Sequence, residues 1–226
     1  MPMILFAVLL AWTAPPQQDR SAASRPAADP AALVLALSSP DRNARDAAVE
    51  RLREIGKPAI PVLRGALDAP EAEARRFAAM LLGEFGAKEA APRLKRALGS
   101  DPEERVRAEA AYALGRIRAD GCGEALVEVF RIESSPRVLR AALATLGEIR
   151  DPRTFEPVLA FAEKTEDAYL RSVAGRALAD LTGQRFRADF AAWRAWWEKY
   201  GPKFLEACRE RTEASPKGGA RRETPR

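Results

Sequence analysis

Histidine is absent from this chain, and cysteine occurs only at Cys122 and Cys208. Without histidine there is no ordinary neutral-pH base, no histidine-activated nucleophile and no histidine-bearing zinc site. Two cysteines cannot build a disulfide framework. Asparagine appears once, at Asn43, and aromatic residues make up only 7% of the chain. No Gly-rich phosphate loop, His-Glu-x-x-His or Cys-x-x-Cys motif is present, so the common signatures of nucleotide and metal chemistry are missing. Gly121-Cys122-Gly123 stands alone and reads as a turn. Acid pairs such as Asp101 with Glu103 read as turn and helix-start residues rather than as paired glycosidase carboxylates. Neither catalytic activity, nor a cofactor, nor a metal is expected.

The apolar segment from Ile4 to Trp12 is well short of the ~20 residues that cross a bilayer, but it has the length of a signal-peptide core. Residues 1–14 are therefore expected to be an export signal and the protein to be periplasmic or secreted. Residues 15–29, rich in Pro, Ala, Ser and Gln, are expected to be a flexible tether. The stretch 209–226 is expected to be a disordered tail. It carries six Lys or Arg against three Glu and so supplies +3 of the net +5. Because the basicity sits in this tail rather than in a structured groove, no nucleic-acid partner is expected.

What the chain has in abundance is alanine, leucine, arginine and glutamate, all strong helix formers. Ala and Leu recur four residues apart at Ala48 and Leu52, Ala78 and Leu82, Ala110 and Leu114, Ala142 and Leu146, and Ala174 and Leu178, in steps of 30, 32, 32 and 32. Ile55, Phe85, Ile117, Ile149 and Leu181 complete each i, i+4, i+7 stripe. Gly83, Gly115 and Gly147 follow the leucine, where a neighbouring helix can come close. A second series at the same period begins at Leu33, Leu63, Leu94, Leu126 and Val158. Each repeat is therefore two amphipathic helices. One pair cannot cover its own apolar stripe, so the pairs must stack.

The run Asp101-Pro102-Glu103-Glu104-Arg105-Val106-Arg107, leading to Leu114-Gly115 and Ile117, resembles the HEAT repeat, as does Ser135-Pro136-Arg137-Val138 leading to Leu146-Gly147-Glu148-Ile149. The resemblance covers residues 30–182. It implies an all-α fold, a right-handed α-solenoid of about five HEAT-like helix pairs. It also implies a ladder of turn Asp and early second-helix Arg between repeats: Asp41 with Arg45, Asp68 with Arg75, Asp101 with Arg107, and Asp167 with Arg171. The fourth repeat departs, with Leu139 in place of the Arg and Ser134-Ser135 in place of the Asp. Residues 183–208 resemble the closing segment of bacterial HEAT-repeat proteins. There Phe190, Trp193, Trp196 and Trp197 are expected to form an aromatic cap rather than a ligand cage, with Gly201-Pro202 ending the helix and a short final helix at 203–208.

Function is expected to lie on a concave wall of second helices. Two places before each repeat leucine stand Glu50, Met80, Tyr112, Ala144 and Arg176, and six places before stand Asp46, Arg76, Ala108, Arg140 and Ser172. Arg76, Met80, Tyr112, Arg140 and Arg176 are the candidate contact residues, because Met, Tyr and Arg are enriched at interfaces. The leading expectation is a monomeric, non-enzymatic scaffold for a protein or peptide. By family analogy alone the alternatives are a bilin lyase-like or DNA glycosylase-like activity, or a purely structural spacer. The two thiols lie about three layers apart, too far for a disulfide.

Overall fold

A computed structural model describes residues 29–214. The expected export signal, the tether up to residue 28 and the tail from residue 215 lie outside the described residues. Among the described residues there are eleven α-helices and no strand. They are α1 (Pro30–Ala36), α2 (Arg42–Ile55), α3 (Ile60–Ala66), α4 (Ala72–Glu84), α5 (Ala91–Ser100), α6 (Glu104–Ile117), α7 (Cys122–Ile132), α8 (Pro136–Ile149), α9 (Phe155–Lys164), α10 (Ala168–Thr182) and α11 (Phe190–Ala214). Odd- and even-numbered helices pair into five repeats, and α11 follows them.

The local sequence explains where the helices start and stop. Pro stands at the first or second position of α1, α3, α5 and α8, where its missing N–H costs no helical bond. Asp29, Asp41 and Asp167 cap their helices by accepting backbone N–H groups. At the far ends, Gly56 and Gly86 turn through positive φ, and the equivalent residues Arg118 and Arg150 adopt the left-handed helical region at φ 48° and 57°.

The Ala and Leu columns form the axis of the core. Leu52, Leu82, Leu114 and Leu178 are fully buried, as are Leu63, Leu94 and Leu126 of the first helices. The even-numbered helices pack backbone to backbone. A Cβ on Gly83 would lie 2.8 Å from the Cα of Ala113, one on Gly147 3.0 Å from the Cα of Ala177, and one on Gly115 2.3 Å from Cγ2 of Thr145. In α2 the equivalent position is Arg53, and α2 packs less intimately on α4. Its guanidinium instead donates two 2.9 Å bonds to Glu84 and one of 2.6 Å to Glu50. The odd-numbered helices α7 and α9 meet through larger side chains, Phe130 stacked on Phe161 with centroids 4.6 Å apart, beside an open groove of about 490 Å³. The close-packed even-numbered row therefore lies on the inside of the curve.

The ladder is offset by one repeat from the expected pairing. Arg75 reaches forward to Asp101 of the next repeat at 2.7 and 2.9 Å, and Arg107 to Glu133 at 2.7 and 3.1 Å. Each arginine also donates to two carbonyls of its own turn, Ala69 and Pro70 for Arg75, and Asp101 and Pro102 for Arg107. Asp68 does not meet Arg75; it pairs with Arg93 at 2.7 Å. Asp41 and Asp167 serve as helix caps instead of meeting the Arg45 and Arg171 side chains. The position that receives the rung is occupied by Ala69, Asp101, Glu133 and Thr165 in successive repeats, so only the middle two offer a carboxylate. Arg45 consequently has a buried Nε with no acceptor. Arg171 places its guanidinium 4.7 Å from the centre of the Phe190 ring.

At the C-terminal end the backbone of residues 183–189 crosses α10 at Gly175, where a Cβ would come 2.2 Å from the Arg187 carbonyl oxygen. Arg187 turns through φ 53°, and its carbonyl accepts 2.9 Å from Nε1 of Trp193. Trp193 is fully buried, and Trp197 stacks on Phe155 with centroids 3.9 Å apart. Against expectation, α11 does not end at Gly201-Pro202 but runs on past Cys208 to Ala214. The proline removes one helical hydrogen bond and crowds the carbonyl four residues back. Contacts between side chains of α11 itself span the junction. A Cβ on Gly201 would meet the Trp197 ring at 2.8 Å, and Phe204 lies 5.8 Å from Trp196.

Candidate functional site

On each even-numbered helix the residues nine and two before the leucine, and two after it, share the face away from the core, and the residue five before it ranges from exposed Ala47 to fully buried Ala141. These residues line the inner wall. In these columns α2 carries Glu50 and Glu54 and no cation, whereas α6 carries Arg105 and Arg116, α8 Arg137 and α10 Arg176, beside Glu109, Glu148 and Asp180. Met80 and Tyr112 sit half-buried at the centre, on adjacent helices.

The candidate arginines have different surroundings. Arg76 is held by Glu73 at 2.7 Å and lies 4.1 Å over the Phe77 ring. Arg140 is half-buried, while Arg176 is exposed and 3.8 Å from Asp180 on its own helix. Arg76, Met80, Tyr112, Arg140 and Arg176 thus fall on the four successive even-numbered helices α4, α6, α8 and α10.

Glu109 is the residue that the sequence pattern did not single out. It occupies a column, five before the leucine, that is otherwise Ala47, Phe77, Ala141 and Val173. An acid in an apolar column was the available signal. Its side chain is only 19% exposed, it accepts no hydrogen bond, and its nearest cation is Arg116 at 4.0 Å. Burial pushes its carboxyl above the usual range, and the fields of Arg116 and Arg76 only partly offset that rise. Glu73 on α4 is the reverse case: the bond from Arg76 holds its carboxyl below the usual range.

Cys122 is buried at the first position of α7, and burial pushes its thiol up, which leaves it a poor nucleophile. Cys122 and Cys208 form no disulfide. Among the described residues no group of His, Cys, Asp or Glu is arranged to hold a metal ion, and no helix is long and apolar enough to cross a membrane.

The family profile for HEAT repeats matches residues 30–115, 60–133 and 100–179. The chain belongs to the HEAT-repeat family. No curated protein matches it in sequence. Among solved structures, the complex of CpcE and CpcF of phycocyanin lyase from Nostoc sp. PCC7120 resembles this HEAT-repeat chain with a TM-score of 0.55 at 23% identity, over 71% of this chain and 67% of the other. A designed armadillo repeat protein aligns with a TM-score of 0.45 at 18% identity, over 84% of this chain and 94% of the other. At 23% identity the likeness to the CpcE and CpcF complex is one of fold.

Proposed function

We propose that this HEAT-repeat chain is a non-catalytic scaffold whose inner wall receives an extended segment of a partner protein. The observation that carries this reading is Glu109. A mostly covered carboxylate with no donor costs stability, and here it lies beside the two large half-buried side chains of the wall, Met80 and Tyr112, with Arg76 across the seam between α4 and α6. A partner that lays an apolar side chain on Met80 and Tyr112 and turns an N–H group or a cation toward Glu109 satisfies the carboxylate and buries the patch together. The spacing of the even-numbered helices suits an extended chain that meets one helix after another.

Selection of a random displayed peptide library on the full chain tests this directly. Enriched peptides are expected to lose at least tenfold in affinity on Tyr112→Ala and on Glu109→Gln, and to be unaffected by Leu35→Ala on the remote first helix. Failure of any peptide to enrich, or enriched peptides indifferent to both inner-wall changes, would overturn the reading.

A further inference from the structure

A second concavity lies outside the inner wall, where the C-terminal half of α11 passes over the turn between α8 and α9. It is a cleft of about 1110 Å³. Pro152, Leu181, Trp197 and Leu205 form its floor, and Arg150, Arg153, Arg209 and Arg211 stand around it. Trp197 is held there by its stack on Phe155 and by the close approach of Gly201, where a Cβ would lie 2.8 Å from the ring.

The charges around the cleft are unequally satisfied. Asp151 is consumed by Arg153, which it meets at 2.6 Å, and by the Arg153 backbone N–H. Glu156 is engaged by Arg194. Arg150 and Arg209 are exposed and have neither an ion pair nor a side-chain hydrogen bond among the described residues. The comparison with Arg118 is informative. Arg118 occupies the same left-handed position one repeat earlier and donates 3.0 Å to the Glu148 carbonyl of the next helix end, whereas Arg150 makes no such bond and lines the cleft.

The chain's own tail is a poor occupant. Residues 215–226 carry Lys217, Arg221, Arg222 and Arg226 against Glu223 alone, so the tail is repelled by this rim. A peptide from another protein is poorly matched as well: its backbone N–H groups need acceptors, and the two carboxylates that line the cleft, Asp151 and Glu156, are already engaged by Arg153 and Arg194, while the Trp197 indole only donates. An acyl chain needs no acceptor, and a carboxylate or sulfate head group matches arginine.

We infer that this cleft binds a single-chain amphipathic anion, with the acyl chain on Leu181, Trp197 and Leu205 and the anionic head on Arg150 and Arg209. The site is independent of the inner wall and uses none of its residues.

Dodecanoate, kept below its micelle-forming concentration, is titrated into the full chain by calorimetry with tryptophan emission recorded in parallel. One dodecanoate per chain is expected, with a change in tryptophan emission, and dodecyltrimethylammonium is expected not to bind. Arg150→Gln combined with Arg209→Gln should weaken dodecanoate at least tenfold. The thermal midpoint should stay unchanged, because both side chains are exposed and unpartnered in the fold. Equal binding of the cationic amphiphile, undiminished binding by the double variant, several molecules bound per chain, or binding to phosphatidylglycerol vesicles without binding to monomeric dodecanoate would each overturn the assignment.

Discussion

The seam between α6 and α8 can be tested by one substitution and its rescue. Gly115→Ala gains about 1 kcal/mol of helix propensity. The new Cβ, however, would lie 2.3 Å from Cγ2 of Thr145, where real contacts are more than an ångström longer. Overpacking of this kind costs about 1 to 3 kcal/mol, so the net change should be a loss of up to about 2 kcal/mol. Thr145 is 1% exposed, and its hydroxyl has no hydrogen-bond partner. Truncating it to Ala removes both the obstructing methyl and an unsatisfied polar group that costs about 1 to 3 kcal/mol. The double variant Gly115→Ala, Thr145→Ala should therefore be at least as stable as the parent chain. The coupling between the two sites in urea denaturation should exceed about 1 kcal/mol. If the two changes add independently, within about 0.5 kcal/mol, the helices do not meet at this seam and the account of the inner row's close packing is wrong.

Trp193→Ala removes a fully buried side chain and should cost about 3 to 5 kcal/mol. Hydrogen exchange should show α10 losing protection while α2 to α4 keep theirs, because stacked repeats support only their neighbours; uniform loss would refute end-fraying. Arg107→Ala leaves the Glu133 carboxylate, 7% exposed, without its guanidinium and should cost about 3 kcal/mol. Burial alone would raise the Glu133 carboxyl, but Arg107 and the backbone N–H groups of Ser135 and Ser134 hold it below the usual range. Its stabilising contribution is therefore present above the unfolded-state carboxylate pKa and lost as pH falls through the lower folded-state value. An acid limb of the stability curve unchanged in Arg107→Ala would count against this. Glu109 has the opposite sign: its raised carboxyl costs stability as pH rises from the unfolded-state toward the folded-state pKa and above. Glu109→Gln should thus raise the thermal midpoint at neutral pH, and the gain should vanish in acid; a gain independent of pH would show that ionisation is not its cause.

The repeat itself was written in the sequence, because a helix face that must be buried every 32 residues leaves Ala, Leu and Ile at fixed offsets. The columns beginning at Ala48 and Leu52 therefore specified the number of pairs, their stacking and the glycine seams without reference to coordinates. The same reasoning placed Met80 and Tyr112 on one face, since helical spacing alone fixes which side chains share a side. The ladder was legible in residue types but not in pairing. An arginine can fork onto its own turn or the next, and only the stacking distance sent Arg75 to Asp101 and Arg107 to Glu133. Gly201-Pro202 reads locally as a helix end, yet α11 runs on across it, with Trp197 stacked on Phe155 of α9 before the break and in ring contact with Phe204 after it. The cleft beside Arg150 joins residues from about 150 to 211, a separation that no periodicity encodes. Glu109 shows the same division. Its odd place in an apolar column was visible in the sequence, but its being mostly covered, with no hydrogen-bond donor and Arg116 no nearer than 4.0 Å, was decided by the packing.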